Sequence, residues 1–150
     1  MAKAAMERLK KHNMPAFTVG AFAIILDEQR RILLCHRCDR DLWNLPGGGV
    51  ESGETPWQGV IREVREEVGL DVVVTKLTGI YKDSHRDDIV FSFLCAITGG
   101  EPTLSDEADA IAYFAFDEFP SNTHLTHIQR IKDVLTEPDT LHMKTMPRKY

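Results

Sequence analysis

The sequence lacks any apolar run long enough to cross a bilayer as a helix, which excludes a helical membrane span. Its first stretch, Met1 to Lys11, mixes lysines, a glutamate and alanines without the apolar core of a signal peptide. Export is therefore not expected, and a cytoplasmic location is. That stretch reads either as a short amphipathic helix or as a frayed end. Positive charge is not in excess: 18 Lys and Arg stand against 23 Asp and Glu, for a net charge of −5. This argues against binding a nucleic acid polymer, and an anionic substrate would need local basic groups or a metal rather than a global field. Cysteine is scarce, with three in the chain. Cys35 and Cys38 have a C-x-x-C spacing, but no second cysteine pair or suitable histidine pair follows, and Cys95 sits in a strand candidate. They read as buried or incidental thiols in a reducing compartment. Internal repeats, low-complexity runs and interdomain linkers are also lacking. Residues 1–150 thus read as one domain with a real core, centred on about 17–135.

What is present is concentrated between Gly48 and Leu70. Thr55 suits an N-cap, Pro56 the first helical position, and Gln58 completes a Thr-x-x-Gln capping box; Gly69 can close the helix in a left-handed turn. Val60, Ile61, Val64 and Val68 recur at helical spacing as an apolar stripe. Glu63, Glu66 and Glu67 share another face, where like charges destabilise an isolated helix. Arg62 can pair with Glu66 but cannot neutralise all three. Either the face is simply solvated, or a hard divalent cation such as Mg²⁺, which takes oxygen ligands, offsets the charge.

The run Gly48, Glu54, Arg62-Glu63-Val64-x-Glu66-Glu67-x-Gly69-Leu70 resembles the Nudix box, G-x5-E-x7-R-E-U-x-E-E-x-G-U with U aliphatic, at every defined position. The lead-in Leu42-Trp43-Asn44-Leu45-Pro46-Gly47-Gly48-Gly49-Val50-Glu51 matches as well. The resemblance implies an α/β/α sandwich with a mixed β-sheet. It also implies metal-dependent hydrolysis of a phosphoanhydride in a nucleoside diphosphate linked to another moiety, nucleoside triphosphates included, so the partner is a small-molecule nucleotide derivative. Residue by residue it gives Glu63 and Glu67 as principal ligands of Mg²⁺ or Mn²⁺, Glu66 as a further ligand, and Arg62 as the group that orients Glu54 or Glu66 through a bidentate contact. The general base is left open among Glu63, Glu66 and a carboxylate outside the box, for which Glu107 is the candidate. Beside such a helix the glycine run is a platform for phosphate or metal, with the Gly47 or Gly48 carbonyl as a ligand. Arg37 reads as a substrate contact leaving a strand, while His85 and Arg86 are either substrate contacts or ordinary loop residues. Trp43 reads as a brace for the loop or as a stacking surface for a base.

Substrate tags are missing. The S-Q-P-W-P-F-P-type array of NADH-cleaving relatives is not found, and LLCHRCDR matches the coenzyme A-type motif poorly. No proline falls between Pro56 and Pro102, where ADP-ribose-type relatives tend to carry one. Two rival readings are a nucleotide-sensing domain of the same family that regulates a partner protein, and an isoprenoid isomerase-like enzyme using Cys35 or Cys38. The intact box weighs against both.

For the remaining chain, Phe17–Leu26 and Arg31–His36 read as a hairpin about a turn at Asp27–Arg30. Asp71–Tyr81 reads as one or two strands, Asp83–Asp88 as a polar loop, Ile89–Thr98 as a strand turned by Gly99-Gly100, and Ala110–Phe116 as another strand. Thr126–Leu135 has helical periodicity, and the residues after Pro138 read as a tail or an oligomer contact, a homodimer being the oligomer considered.

Overall fold

Two strands near the start of the chain are apolar at successive positions rather than alternate ones, which means that both of their faces must be covered. In the computed structural model, which describes residues 2–11 (9–11 by backbone only) and 15–147, they are. Strand β1 (Thr18–Ile25) and strand β2 (Ile32–Arg37) send Ala21, Ala23, Ile25, Leu33 and Cys35 toward helix α2 (Pro56–Val68). They send Ile24, Ile32 and Leu34 toward helix α3 (Leu125–Thr136). Val60, Val64 and Val68 complete the first core and Ile131 and Val134 the second, so the chain is an α/β/α arrangement. Helix α1 (Ala2–Lys11) precedes these layers.

Helix α2 has the ends its sequence marks. The Thr55 hydroxyl accepts from the Gln58 N–H at 3.1 Å, and the Gln58 side chain accepts from the Thr55 N–H at 2.8 Å. Gly69 lies at φ 75° and its N–H donates to the Arg65 carbonyl.

The strands form two sheets. Strands β3 (Trp43–Asn44) and β7 (Ala108–Phe114) flank β2 in an antiparallel three-stranded sheet. The other sheet is mixed, in the order β4 (Gly47–Gly49), β1, β6 (Asp88–Gly100), β5 (Leu70–Asp83), β8 (His142–Met146). The hairpin expected from residues 17–36 therefore does not form as a paired ladder. The turn is there, capped by Asp27, whose carboxylate accepts the Gln29 and Arg31 N–H groups, but only Leu26 and Ile32 bridge across it. The reason is occupancy: one edge of β1 is taken by β6 in parallel along its whole length, and the other by β4.

The stretch after Pro138 is a strand rather than a tail. Residues 142–146 add to the edge of β5 in parallel, burying His142 and Met146. Periodicity did not expose this strand because its pairing is made by backbone and its middle residues face solvent. Asp71–Tyr81 belongs to one strand, β5, interrupted by bulges, and Gly99-Gly100 end β6 rather than forming a free turn.

Strand β8 is also tied to α3 through one buried carboxylate. Asp133, 4% exposed, accepts from Tyr81 Oη on β5 at 2.9 Å, from Gln129 at 2.8 Å and from Lys144 Nζ at 2.7 Å. Removing it leaves the buried Tyr81 phenol without its acceptor and releases Gln129 and the half-exposed Lys144 ammonium. Asp133→Ala is expected to cost about 3 kcal/mol and Tyr81→Phe about 1–2 kcal/mol in urea denaturation. Equal small losses for the two would show that the network is not the tie between β5, α3 and β8.

Candidate active site

Helical spacing places Glu63 and Glu67 one turn apart on α2, and the loop leading into β7 brings Glu107 to them. Oxygens of the three carboxylates lie within 4.8 Å of one another. Glu67 is 5% exposed. Its two oxygens are held separately: Oε2 accepts the Gly47 N–H at 3.2 Å, and Oε1 accepts the Cys35 thiol at 3.0 Å. Burial raises its pKa to about 7, with Glu63 and Glu107 adding to the rise and the two hydrogen bonds opposing it. Burial raises Glu63 too, against the pull of Arg62.

Glycine is required at position 47, and at position 48 it spares the Glu63 carboxylate from being displaced. A Cβ on Gly48 would fall 2.8 Å from the Glu63 carboxylate, and one on Gly47, whose φ is 150°, 2.3 Å from the Ala21 carbonyl oxygen. Strand β4 can therefore lie directly on the acidic cluster.

Arg62 uses every N–H its guanidinium has. Nε and Nη2 fork onto Glu54 at 3.1 and 2.7 Å, Nη1 donates to Glu63 and Glu66 at 3.2 and 3.0 Å, and Nη2 also reaches the Gly49 carbonyl at 3.1 Å. The fork holds the Glu54 pKa down to about 2, helped by the Glu51 N–H. Glu66 is exposed and joined to Arg62, and it stands outside the cluster of Glu63, Glu67 and Glu107.

A cleft of about 760 Å³ opens from the cluster, with Gly47, Gly48, Arg37 and Arg86 in its wall. Arg37 is forked onto Asp39 at 2.7 and 2.6 Å. Arg86 sits on the β5–β6 turn, 3.5 Å from Asp83. His85 occupies the same turn, its N–H bonded to Asp83, and is not among the residues lining the cleft. Trp43 braces the loop edge-on against Phe114 and His36. Cys35 is buried and Cys38 exposed, and neither is in a disulfide.

The far wall was not anticipated from the sequence. It contains Phe22, Asn44, Tyr81, His124, His127 and Arg130. The Arg130 guanidinium lies over the Phe22 and Tyr81 rings, 5.2 and 5.5 Å from their centroids. His127 Nδ1 accepts the Leu45 N–H at 3.0 Å, which places the ring proton on Nε2, and burial depresses its pKa so that the ring is neutral. Burial also lowers His124 to about 4. Asn44 is buried and its Oδ1 has no hydrogen-bond partner among the described residues. The His124-x-x-His127 spacing at the start of α3 was a usable signal; nothing local marks Phe22, Asn44 or Tyr81.

The donor set fits a hard divalent cation. All three groups offer carboxylate oxygen, one is almost fully buried, and Arg62, shared with Glu54 and Glu66, leaves a surplus of negative charge.

The family model for the NUDIX domain matches residues 16–135. A MutT-like protein of Streptomyces ambofaciens is 36% identical over 121 residues, covering 81% of this chain and 79% of that protein. An ADP-ribose pyrophosphatase of Methanocaldococcus jannaschii is 33% identical over 134 residues, covering 85% of this chain and 79% of its own. The crystal structure of a NUDIX hydrolase from Nitrosomonas europaea superposes with a TM-score of 0.78 at 21% identity, over 89% of this chain and 81% of the other. Among the described residues no helix is long and apolar enough to cross a membrane.

The raised pKa of Glu67 makes stability depend on pH. Its folded value, about 7, lies above the ordinary glutamate value of 4.5, so the folded state holds a proton that the unfolded state releases. That contribution is full below the unfolded value and is lost as pH rises through the folded one. In the presence of chelator, wild type is expected to lose stability between about pH 5 and pH 8, by on the order of 2–3 kcal/mol, and Glu67→Gln to lose much less. Urea denaturation at the two pH values measures this, and an equal pH slope in both proteins would remove Glu67 as the source.

Proposed function

The chain belongs to the Nudix hydrolases, and on that premise we propose that it uses Mg²⁺ or Mn²⁺ to cleave the phosphoanhydride of a small nucleoside diphosphate derivative. It is a pyrophosphohydrolase. The observation that carries this reading is that Glu67 and Glu107, which with Glu63 form the carboxylate cluster, share one cleft with an aromatic and imidazole wall.

Glu63, Glu67 and Glu107 hold the cation, with the Gly48 backbone alongside. Glu66, on the rim and fixed by Arg62, is the further carboxylate available to it. When bound, the cation supplies charge neutralisation to the phosphoryl oxygens and acidifies a water. Water forms a new bond to one phosphorus, and the bridging oxygen leaves with the other phosphate. Glu107, the exposed member of the cluster, accepts the proton of that water. Arg62 keeps Glu54, Glu63 and Glu66 in place, and Glu54, held anionic, fixes the guanidinium in return. Arg37 and Arg86 meet substrate phosphate from the cleft wall, whereas His85, outside that wall, takes no part. Phe22 and Arg130, the latter seated over the buried Tyr81 ring, offer the surface for a base, whose edge meets the acceptor of Asn44 and the donor of His127.

The test is a panel of nucleoside triphosphates, ADP-ribose and nucleoside diphosphate sugars with Mg²⁺ or Mn²⁺, with products identified by mass. A nucleoside monophosphate is expected as product, with activity abolished by chelator. Because removing even an outer-shell partner of a ligand commonly costs 10–100-fold, Glu67→Gln is expected to lower the rate by at least about 100-fold. It should also shrink the melting shift produced by Mg²⁺. Full turnover in excess chelator, or wild-type turnover with an unchanged Mg²⁺ shift in the variant, would defeat the proposal.

A further inference from the structure

The glutamates of the cluster come from two parts of the chain. Glu63 and Glu67 are fixed by α2, whereas Glu107 lies in the connection between β6 and β7, which has no regular structure of its own. Such a segment does not hold a carboxylate within 4.8 Å of two others unless something fastens it. One side chain spans the gap. The Ser105 hydroxyl donates to the Glu67 carbonyl oxygen at 2.8 Å and accepts the N–H groups of Glu107 and Ala108, each at 3.2 Å. The Glu67 carbonyl is among the last of α2, where no further helical turn supplies a donor, so it is open to an outside partner. Thr103 N–H fills the same role for the Val68 carbonyl. The Ser105 N–H closes its own turn on the Ala108 carbonyl, and the Cys38 N–H takes the Glu107 carbonyl.

We infer that Ser105 is a positioning residue for the metal cluster, a single hydroxyl that sets Glu107 in register with Glu67. It touches neither substrate nor cation. Its donor end reads the backbone of one ligand and its acceptor end the backbone of the other, so removing it unties Glu107 from α2, leaving that residue held through the Cys38 N–H, while the carboxylates of α2 stay in place. This rests on the proposed role of Glu107 as a ligand.

The test is a double-mutant cycle on the full chain, read by Mn²⁺ affinity in calorimetry and by melting temperature without metal. Ser105→Ala is expected to weaken Mn²⁺ binding about tenfold, the lower end of what outer-shell partners contribute. The same substitution in a Glu107→Gln background should have almost no effect on affinity, because the group it positions is gone. Ser105→Thr, which keeps the hydroxyl, should restore affinity. Equal losses in the two backgrounds would show that Ser105 merely supports the loop and would overturn the inference, as would an unchanged affinity in Ser105→Ala. If Glu107→Gln alone leaves Mn²⁺ affinity unchanged, the ligand role of Glu107 fails and this inference fails with it, a result the other arms do not produce. Wild type offers a check that needs no Ser105 variant. The Glu107 and Ala108 amides should exchange with solvent slowly, and more slowly with Mg²⁺; exchange at the rate of a free loop overturns the proposal.

Discussion

Crowded negative charge on α2 is the constraint around which this molecule is arranged. Glu63 and Glu67 would destabilise an isolated helix, and bringing Glu107 against them worsens the repulsion. The protein answers with fixed dipoles and one cation rather than by dispersing the charges. Arg62 is saturated by Glu54, Glu63, Glu66 and the Gly49 carbonyl. Glu67, too deep for Arg62, has an amide on one oxygen and a thiol on the other. These contacts leave the surplus charge unquenched, and that surplus is what a divalent cation needs. Glycine at positions 47 and 48 follows from the same crowding, since any side chain there would occupy the space of a carboxylate or of β1.

The layered core keeps this arrangement rigid. Because β1 and β2 are covered on both faces, α2 is seated on a surface that cannot tilt without opening two cores at once. Dividing the strands into two sheets has a further effect. It sends the end of β2 and the start of β7 to the same rim, which delivers Arg37 and Glu107 to the cleft from separate segments. A continuous β1–β2 hairpin would have taken the edge of β1 that β4 now occupies, and β4 carries the glycines that lie against Glu63.

What could be read in the sequence was local. Thr55, Pro56, Gln58 and Gly69 define α2 because caps are short-range chemistry, and the box confines the bidentate contact of Arg62 to Glu54 or Glu66, of which the fold selects Glu54. The layered architecture followed from the same resemblance. The parts not foreseen depend on distant segments. The edge competition that separates β1 from β2 is invisible until β6 is placed beside β1. Strand β8 has too few buried side chains to show a period. Cys35 reads as an inert thiol until Glu67 is folded onto it, thirty-two residues further along the chain. Asn44 and Tyr81 were ordinary members of a loop and a strand until α3 closed over them.

The placement of β8 bears on how the chain is made. It is the last of the described elements to leave the ribosome, and it carries both the strand that covers the edge of β5 and the ammonium that partners Asp133. Until it arrives, β5 presents an unpaired edge, the kind of surface that recruits strands from other chains. Met146, which lines the cleft, arrives in the same segment. The same segment thus pairs the edge of β5 and completes the wall of the cleft, so the mixed sheet and the cleft are finished in one step.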